Sequence, residues 1–244
     1  MPTKMNGNSD KSFLLGPRSR WKEFKYAWKT LWQFVKGFRA LHFAGPCVTV
    51  FGSARFKGDH PYYQMTVDLG KAISEMGFAV MTGGGPGLME AANNGAREAG
   101  GLSLGCNIVL GTEQRPNPYL DKFVTMEQFF VRKELLRKYS FAFVIMPGGF
   151  GTLDEFFETL TLVQTKKMER MPLIIMGKEY HKSILDHIEL MAEEGTIHPE
   201  DRELILFTDS ISEVVEHIQK FAAQKASLKL QAAQKPIWFL GEKR

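Results

Sequence analysis

Two glycine-rich stretches carry the residue types that hold phosphorylated ligands. Gly83-Gly84-Gly85-Pro86-Gly87 follows the apolar run Phe78–Thr82, and Pro147-Gly148-Gly149-Phe150-Gly151-Thr152 follows Phe141–Met146. Glycines between a strand and a helix let the backbone approach a ligand closely, and the free N–H groups of a helix start attract an anion. The first stretch is no dinucleotide fingerprint, because Leu88 or Glu90 stands where the third glycine belongs. It is no Walker loop either, since no Gly-Lys-Ser/Thr follows. Gly84, Gly85 and Gly87 are its candidate ligand contacts, with Met89 just beyond. In the second stretch Gly148, Gly149 and Gly151 offer amides and Thr152 a hydroxyl. That set suits a monophosphate at the start of a helix over 152–166. Ser53, directly after Gly52, lies on the same edge and offers one more donor.

The acid–base candidates surround the second stretch. Glu155 stands three residues after Thr152, which admits two readings. It completes a capping box with Thr152, or it faces the sugar of a bound sugar phosphate, where a carboxylate stabilises a positively charged sugar transition state or orients a water. Asp154 is its neighbour and Glu158 lies one turn on. Arg132 and Lys133 sit among Arg137 and Lys138 in a helical stretch that leads into Phe141–Met146, so either cation could reach a phosphate or a carboxylate. Arginine keeps its proton at neutral pH, so orientation or charge stabilisation is its expected role. The six histidines are scattered without ligand spacing, which implies no metal site. Cys47 and Cys106, the only two cysteines, sit in apolar segments and make no disulfide framework; a reducing cytoplasm is the expected setting.

Positioning these residues requires an alternation of strands and helices. Short β-branched or apolar runs at Cys47–Gly52, Phe78–Thr82, Leu102–Ile108, Phe123–Met126, Phe141–Met146, Pro172–Met176 and Leu204–Phe207 predict seven strands. Helical patterns fall between them, over Tyr62–Met76, from Pro86 to Ala99, and over Glu127–Lys138, 152–166, Tyr180–Glu194 and Ile211–Ala223. The pattern predicts an α/β protein with a parallel, doubly wound, Rossmann-like sheet covered by helices on both faces. Ligands of such sheets lie at the carboxyl ends of the strands, where both glycine stretches fall. Three segments are expected: an N-terminal extension over 1–46, a catalytic domain over 47–223 and a tail over 224–244, in which Ile237–Leu240 could dock.

The formal charge of +4 is unevenly spread. Residues 1–46 hold nine basic and two acidic residues, so the extension carries +7 and the remainder −3. Global basicity is therefore no argument for nucleic-acid binding. From Arg18 to Phe43 the residues Trp21, Phe24, Trp28, Leu31, Trp32, Val35 and Phe38 recur at three- and four-residue steps, which predicts an amphipathic helix. Its stripe is expected to pack on the body or on a sister subunit, an anionic membrane surface or nucleic acid being the other occupants. Deleting residues 1–44 separates a role in assembly from one at a surface. No run is long enough to cross a membrane, and the first dozen residues lack the apolar core of a signal peptide.

Taken together, Gly83 to Met89, the pair Arg132-Lys133 and the run Pro147 to Glu155 resemble the LOG (LONELY GUY) family, whose PGGxGTxxE motif is matched in full. The resemblance covers roughly 47–222. It implies a Rossmann-like nucleotide nucleosidase of the cytokinin riboside 5′-monophosphate phosphoribohydrolase type, usually at least dimeric. It also implies phosphate binding by the Pro147–Thr152 turn, with Lys133 alongside, and catalysis by Arg132 and Glu155. The reaction would release a free base and ribose 5-phosphate without metal or redox cofactor. Many members carry the older label lysine decarboxylase, but nothing in this sequence supports pyridoxal phosphate chemistry. Glu90 stands where compact plant-like members usually have Gly, and the aromatic helix is an addition to them. Plain AMP is thus as admissible a substrate as an isoprenylated nucleotide. A nucleotide-binding module without turnover is the alternative from another class. No nucleic-acid or membrane partner is expected.

Overall fold

The computed structural model describes residues 19–110 and 115–226. Helix α1 (Arg20–Leu41) precedes strand β1 (Cys47–Phe51), and strands and helices then alternate. They run α2 (Pro61–Glu75), β2 (Ala79–Thr82), α3 (Leu88–Glu98), β3 (Ser103–Ile108), β4 (Lys122–Met126), α4 (Phe129–Tyr139) and β5 (Ser140–Ile145). After these come α5 (Phe150–Gln164), β6 (Leu173–Ile175), α6 (Lys178–Glu193), β7 (Ile205–Phe207) and α7 (Ile211–Ala226). The seven strands form one parallel sheet in the order β4-β3-β2-β1-β5-β6-β7. The chain winds outward from β1 to β4, then crosses back to β5 on the other side of β1. This reversal makes β1/β5 the switch point, where such sheets open a crevice at their carboxyl ends. Two bonds fix how the exits sit: Met146 N–H donates to Phe51 C=O at 2.8 Å and Ser53 N–H to Pro147 C=O at 2.9 Å.

Alternation along the strands divides the core. Val48, Val50, Val80, Ala142, Val144 and Ile174 pack with Leu69, Ile73, Leu88, Ala92, Val214 and Ile218 beneath α2, α3 and α7. Cys47, Phe51, Met81, Leu104, Cys106, Phe143, Ile145 and Ile175 pack on the opposite face with Leu41, Leu135, Phe156, Val163 and Ile188. Helices α2 and α3 approach closely because Gly70 and Gly95 lie in their contact. A Cβ on Gly95 would overlap the Val67 carbonyl oxygen and reach within 3.0 Å of Lys71 N. Gly95→Ala gains about 1 kcal/mol of helix propensity, while overpacking against rigid backbone costs about 3 kcal/mol. The expected outcome is a net loss of about 2 kcal/mol in urea unfolding. An unchanged midpoint would show that the two helices separate freely.

The structure divides the stripe of the extension. Helix α1 forms, N-capped by Ser19; Phe38 of its stripe packs against the core of the body, but the aromatic residues before it stay exposed. Gln33, Gly37 and Leu41 are the buried residues of α1, with Gly37 against Leu135. Gln33 accepts from Glu127 N–H at 2.9 Å, Thr30 donates to Gln128 Oε1 at 3.0 Å, and Lys36 donates to Thr125 C=O at 3.0 Å. Lys29 pairs with Glu127. Trp21, Phe24, Trp28, Leu31 and Trp32 are 53–64% exposed on the other side. The docking face thus combines polar and small residues with Phe34, Phe38 and Leu41. Leu41 and Ala44 belong to the core of the body, so a deletion ending at residue 44 removes core as well as stripe.

Several helix starts differ from expectation by about two residues, and two of them adjoin the glycine stretches. Helix α3 begins at Leu88 with Gly87 as N-cap at φ 70°, leaving Pro86 outside its first turn. Helix α5 begins at Phe150 with Gly149 as N-cap, not at Thr152. Residues 227–244, including the expected docking segment Ile237–Leu240, lie outside the described residues, as do 1–18. Among the described residues no helix is long and apolar enough to cross a membrane.

Candidate functional site

The switch point opens into a cavity of about 870 Å³. One wall is the exit of β1: Phe51, Gly52, Ser53, Ala54, Arg55 and Phe56. The opposite wall is the turn after β5 and the first turn of α5: Gly148, Gly149, Phe150, Gly151, Thr152 and Leu153. Met89, Arg132, Glu155 and Tyr180 complete the lining. Helix α5 has no side-chain cap, so its first amides have no partner inside the helix. Thr152 Oγ1 stands beside them: a Cβ on Gly148 would overlap it. Phe150, 94% exposed, projects from the start of the helix.

Glu155 lies within α5, past its first turn, so it does not cap the helix; the capping-box alternative fails because Gly149 occupies the N-cap position. Its side chain is 3% exposed. Oε1 is 3.9 Å from Arg132 Nη1, and Oε2 has no hydrogen-bond partner among the described residues. Burial pushes the Glu155 carboxyl up to about 7, against the opposing pull of Arg132 and Lys133, while Glu158 and Asp154 push it further up. Desolvation of the charged form outweighs the nearby cations. A group with such a value exchanges protons readily at neutral pH.

Arg132 reaches the cavity from α4. Its Nε donates to the Cys106 carbonyl of β3 at 2.8 Å, which fixes the guanidinium plane. Gly83 leaves it room, since a Cβ there would overlap Arg132 Nη2. Lys133, the next residue, turns the other way. It pairs with Asp154 at 2.9 Å and Glu158 at 2.6 Å, and Arg137 pairs with Glu158 at 2.7 Å. Both flanking carboxylates of α5 are therefore neutralised on its outer side, and Glu155 alone among the three faces the cavity.

The structure gathers Ser53, Met89, Arg132, Glu155, Gly148, Gly149, Gly151 and Thr152 around one space. Gly84, Gly85, Gly87 and Lys133 contribute nothing to its wall. The backbone of the first glycine stretch is used inside the protein. Gly84 N–H donates to Thr82 Oγ1 at 2.9 Å, Asn117 N–H donates to Gly84 C=O at 2.9 Å, and Asn117 Nδ2 donates to Gly85 C=O at 3.0 Å. Gly87, at positive φ, lets the exit of β1 come close, where Leu88 N–H donates to Ser53 C=O at 2.9 Å. Gly83, Arg55, Phe56 and Tyr180 are wall or supporting residues that sequence reasoning passed over. The run Gly52–Phe56, directly after a strand on the functional edge, carried enough signal to find two of them.

Among the described residues the lining holds no lysine that could carry pyridoxal phosphate covalently. Among the described residues no group of three His, Cys, Asp or Glu side chains could hold a metal ion. Burial pushes the thiols of Cys47 and Cys106 up to about 12, so both stay protonated.

Comparison with known proteins gives this cleft its relatives. The family described as "Possible lysine decarboxylase" matches residues 89–218. A cytokinin riboside 5′-monophosphate phosphoribohydrolase of Rhodococcoides fascians is 29% identical over 175 residues, 70% of this chain and 88% of the relative. Cytokinin riboside 5′-monophosphate phosphoribohydrolase LOG3 of Arabidopsis thaliana is 28% identical over 166 residues, 66% of this chain and 76% of the relative. Among solved structures, the molybdenum cofactor binding protein of Rippkaea orientalis superposes with a TM-score of 0.55 at 22% identity, covering 74% of this chain and 99% of that one. The molybdenum cofactor carrier protein of Chlamydomonas reinhardtii gives 0.52 at 20%, covering 73% and 99%. These two share the fold. The family match spans more than half of the chain and contains Arg132, the Pro147–Thr152 turn and Glu155, and the chain belongs to this family, the LOG family.

Proposed function

We propose that the protein hydrolyses the N-glycosidic bond of a purine nucleoside 5′-monophosphate, giving the free base and ribose 5-phosphate. Glu155 carries the reading: a buried carboxylate with one unpartnered oxygen, beside a guanidinium, in the wall of a cavity whose other side is an uncapped helix start. The amides of Gly149, Phe150 and Gly151 and the Thr152 hydroxyl take the 5′-phosphate, where the dipole of α5 favours negative charge. That anchor sets the ribose against Glu155. As the C1′–N bond breaks, its electron pair leaves with the base, which takes a proton from solvent. Positive charge develops on the sugar, and the ionised Glu155 stabilises it. Water attacks C1′ and gives its proton to Glu155. Arg132 stays charged and orients the carboxylate. The names of the relatives support cleavage of a nucleoside monophosphate.

The experiment is to incubate the protein with AMP and with isopentenyl-AMP and to measure base and ribose 5-phosphate. Release from either is the expected result. Saturable binding without release would instead leave a nucleotide-binding module.

The pH dependence follows from the ionised form being active. Glu155 titrates at about 7 in the free protein. Log kcat/KM is therefore expected to rise with a slope of about 1 below pH 7 and to level off above it. A profile flat from about pH 5.5 to 8 would take Glu155 out of the proton inventory.

A further inference from the structure

Tyr180 comes from α6, far from the turn in sequence, yet its Oη donates to the Gly148 carbonyl at 2.8 Å and its ring lines the cavity. Its position is determined from several sides. Gly177, the N-cap of α6 at φ 87°, lies against Pro147, whose Cγ would be 2.6 Å from a Cβ there. Asp209 accepts from Gly177 N–H at 2.6 Å and from Lys178 N–H at 3.0 Å. The buried ring of His181 meets the Tyr180 ring edge-on at 4.9 Å, and Phe56 does so at 6.3 Å.

The Gly148–Gly149 peptide is where an anion site of this kind is most easily lost. Neither residue has a Cβ, so the peptide plane can turn over at low steric cost. A trans peptide points its N–H and C=O in opposite directions. With the carbonyl held toward Tyr180, the Gly149 N–H points away from it. Turned over, the plane presents a carbonyl oxygen to the bound anion. We propose that Tyr180 is a positioning residue of the phosphate site, its hydroxyl holding the Gly148 carbonyl so that the turn presents amides to the 5′-phosphate.

This rests on the reading of the α5 start as the phosphate site, and the test separates the two. Tyr180→Phe keeps the ring and removes one hydrogen bond. The KM for AMP is expected to rise about tenfold, with kcat within about twofold of the parent. The affinity for ribose 5-phosphate, measured by calorimetry, is expected to fall by the same factor as KM rises. The unfolding midpoint should fall only slightly, because one part-buried hydrogen bond is lost. Unaltered KM and unaltered ribose 5-phosphate affinity overturn the proposal. So does an equal loss of kcat and of the unfolding midpoint, which marks a merely structural residue. Ribose 5-phosphate binding needs no turnover, so the variant reports even if the protein binds AMP without cutting it. If the unsubstituted protein binds neither ester, the phosphate site falls, and the role of Tyr180 with it.

Discussion

Glu155→Gln is expected to lower base release by about 10³-fold while making the folded protein more stable at pH 8. Both effects have one origin. The carboxylate is held where its charge is poorly solvated, 3% exposed and with Oε2 unpartnered. That charge helps only when positive charge develops on the sugar in front of it, so the resting protein bears the cost of keeping it there. The sign follows from the titration. The group has its ordinary value of 4.5 in the unfolded chain and about 7 in the folded one. Between these pH values the folded protein holds a proton that the unfolded chain has lost, so stability falls as pH rises through this window. The full difference is about 3 kcal/mol once the group is ionised in both states. Glutamine does not titrate, so the variant lacks this slope. Urea unfolding of both proteins at pH 5 and pH 8 measures it. The variant should gain on the parent by roughly 2–3 kcal/mol between the two conditions. A difference between the proteins that is the same at both pH values would show that Glu155 carries no such penalty. AMP binding is expected to persist, because the amides proposed to hold the phosphate are untouched.

The elements that build this site were largely legible, because each depends on local pattern. Alternating apolar runs and glycine turns located all seven strands, and strict alternation with short connections implied the parallel sheet. The turn after β5 was legible from Pro147 to Thr152 because glycines, an apolar strand and a helix start coincide there. What local pattern does not encode is which face of an element meets its neighbour. Helix α1 shows this. Periodicity found the stripe Trp21, Phe24, Trp28, Leu31, Trp32, Val35 and Phe38, yet its first five residues stay exposed and the helix docks through Phe38 together with Thr30, Gln33, Gly37 and Leu41. That face is held by side-chain hydrogen bonds to β4 and the segment after it, and by one glycine that admits Leu135. The same limit separates Arg132 from Lys133, adjacent in sequence and pointing to opposite sides of α5, and Glu155 from Asp154 and Glu158. Motif spacing also left capping open for Glu155. A glycine N-cap has no side-chain signature, so the true start of α5 at Phe150 was not visible. Tyr180 was beyond sequence reasoning altogether, since it meets the turn only through the crossover that places α6 beside it.

Gly83→Ala tests whether the position of Arg132, and not merely its charge, supports turnover. Gly83 is not at a positive φ, so the backbone accepts alanine. The new Cβ would overlap Arg132 Nη2 and come within 2.8 Å of Met89 Sδ. Both are ends of flexible side chains, which can move aside at little cost to the fold. The guanidinium, however, is held by its Nε bond to the Cys106 carbonyl at 2.8 Å. Moving it aside disturbs that bond and carries the cation away from Glu155, from which it is already 3.9 Å distant. A displacement of roughly 1 Å in a positioning group costs about 10²-fold in rate, so kcat is expected to fall by about that factor with little change in the unfolding midpoint. A second consequence has a definite sign. Arg132 pulls the Glu155 value down, so a receding cation lets burial raise it further. The midpoint of the pH–rate profile should then move above 7 in the variant. Parental kcat together with a parental midpoint would show that Arg132 acts at neither its present distance nor its present angle. A fall in kcat with the midpoint unmoved would place the damage at Met89, whose sulfur is the other neighbour of the new methyl group.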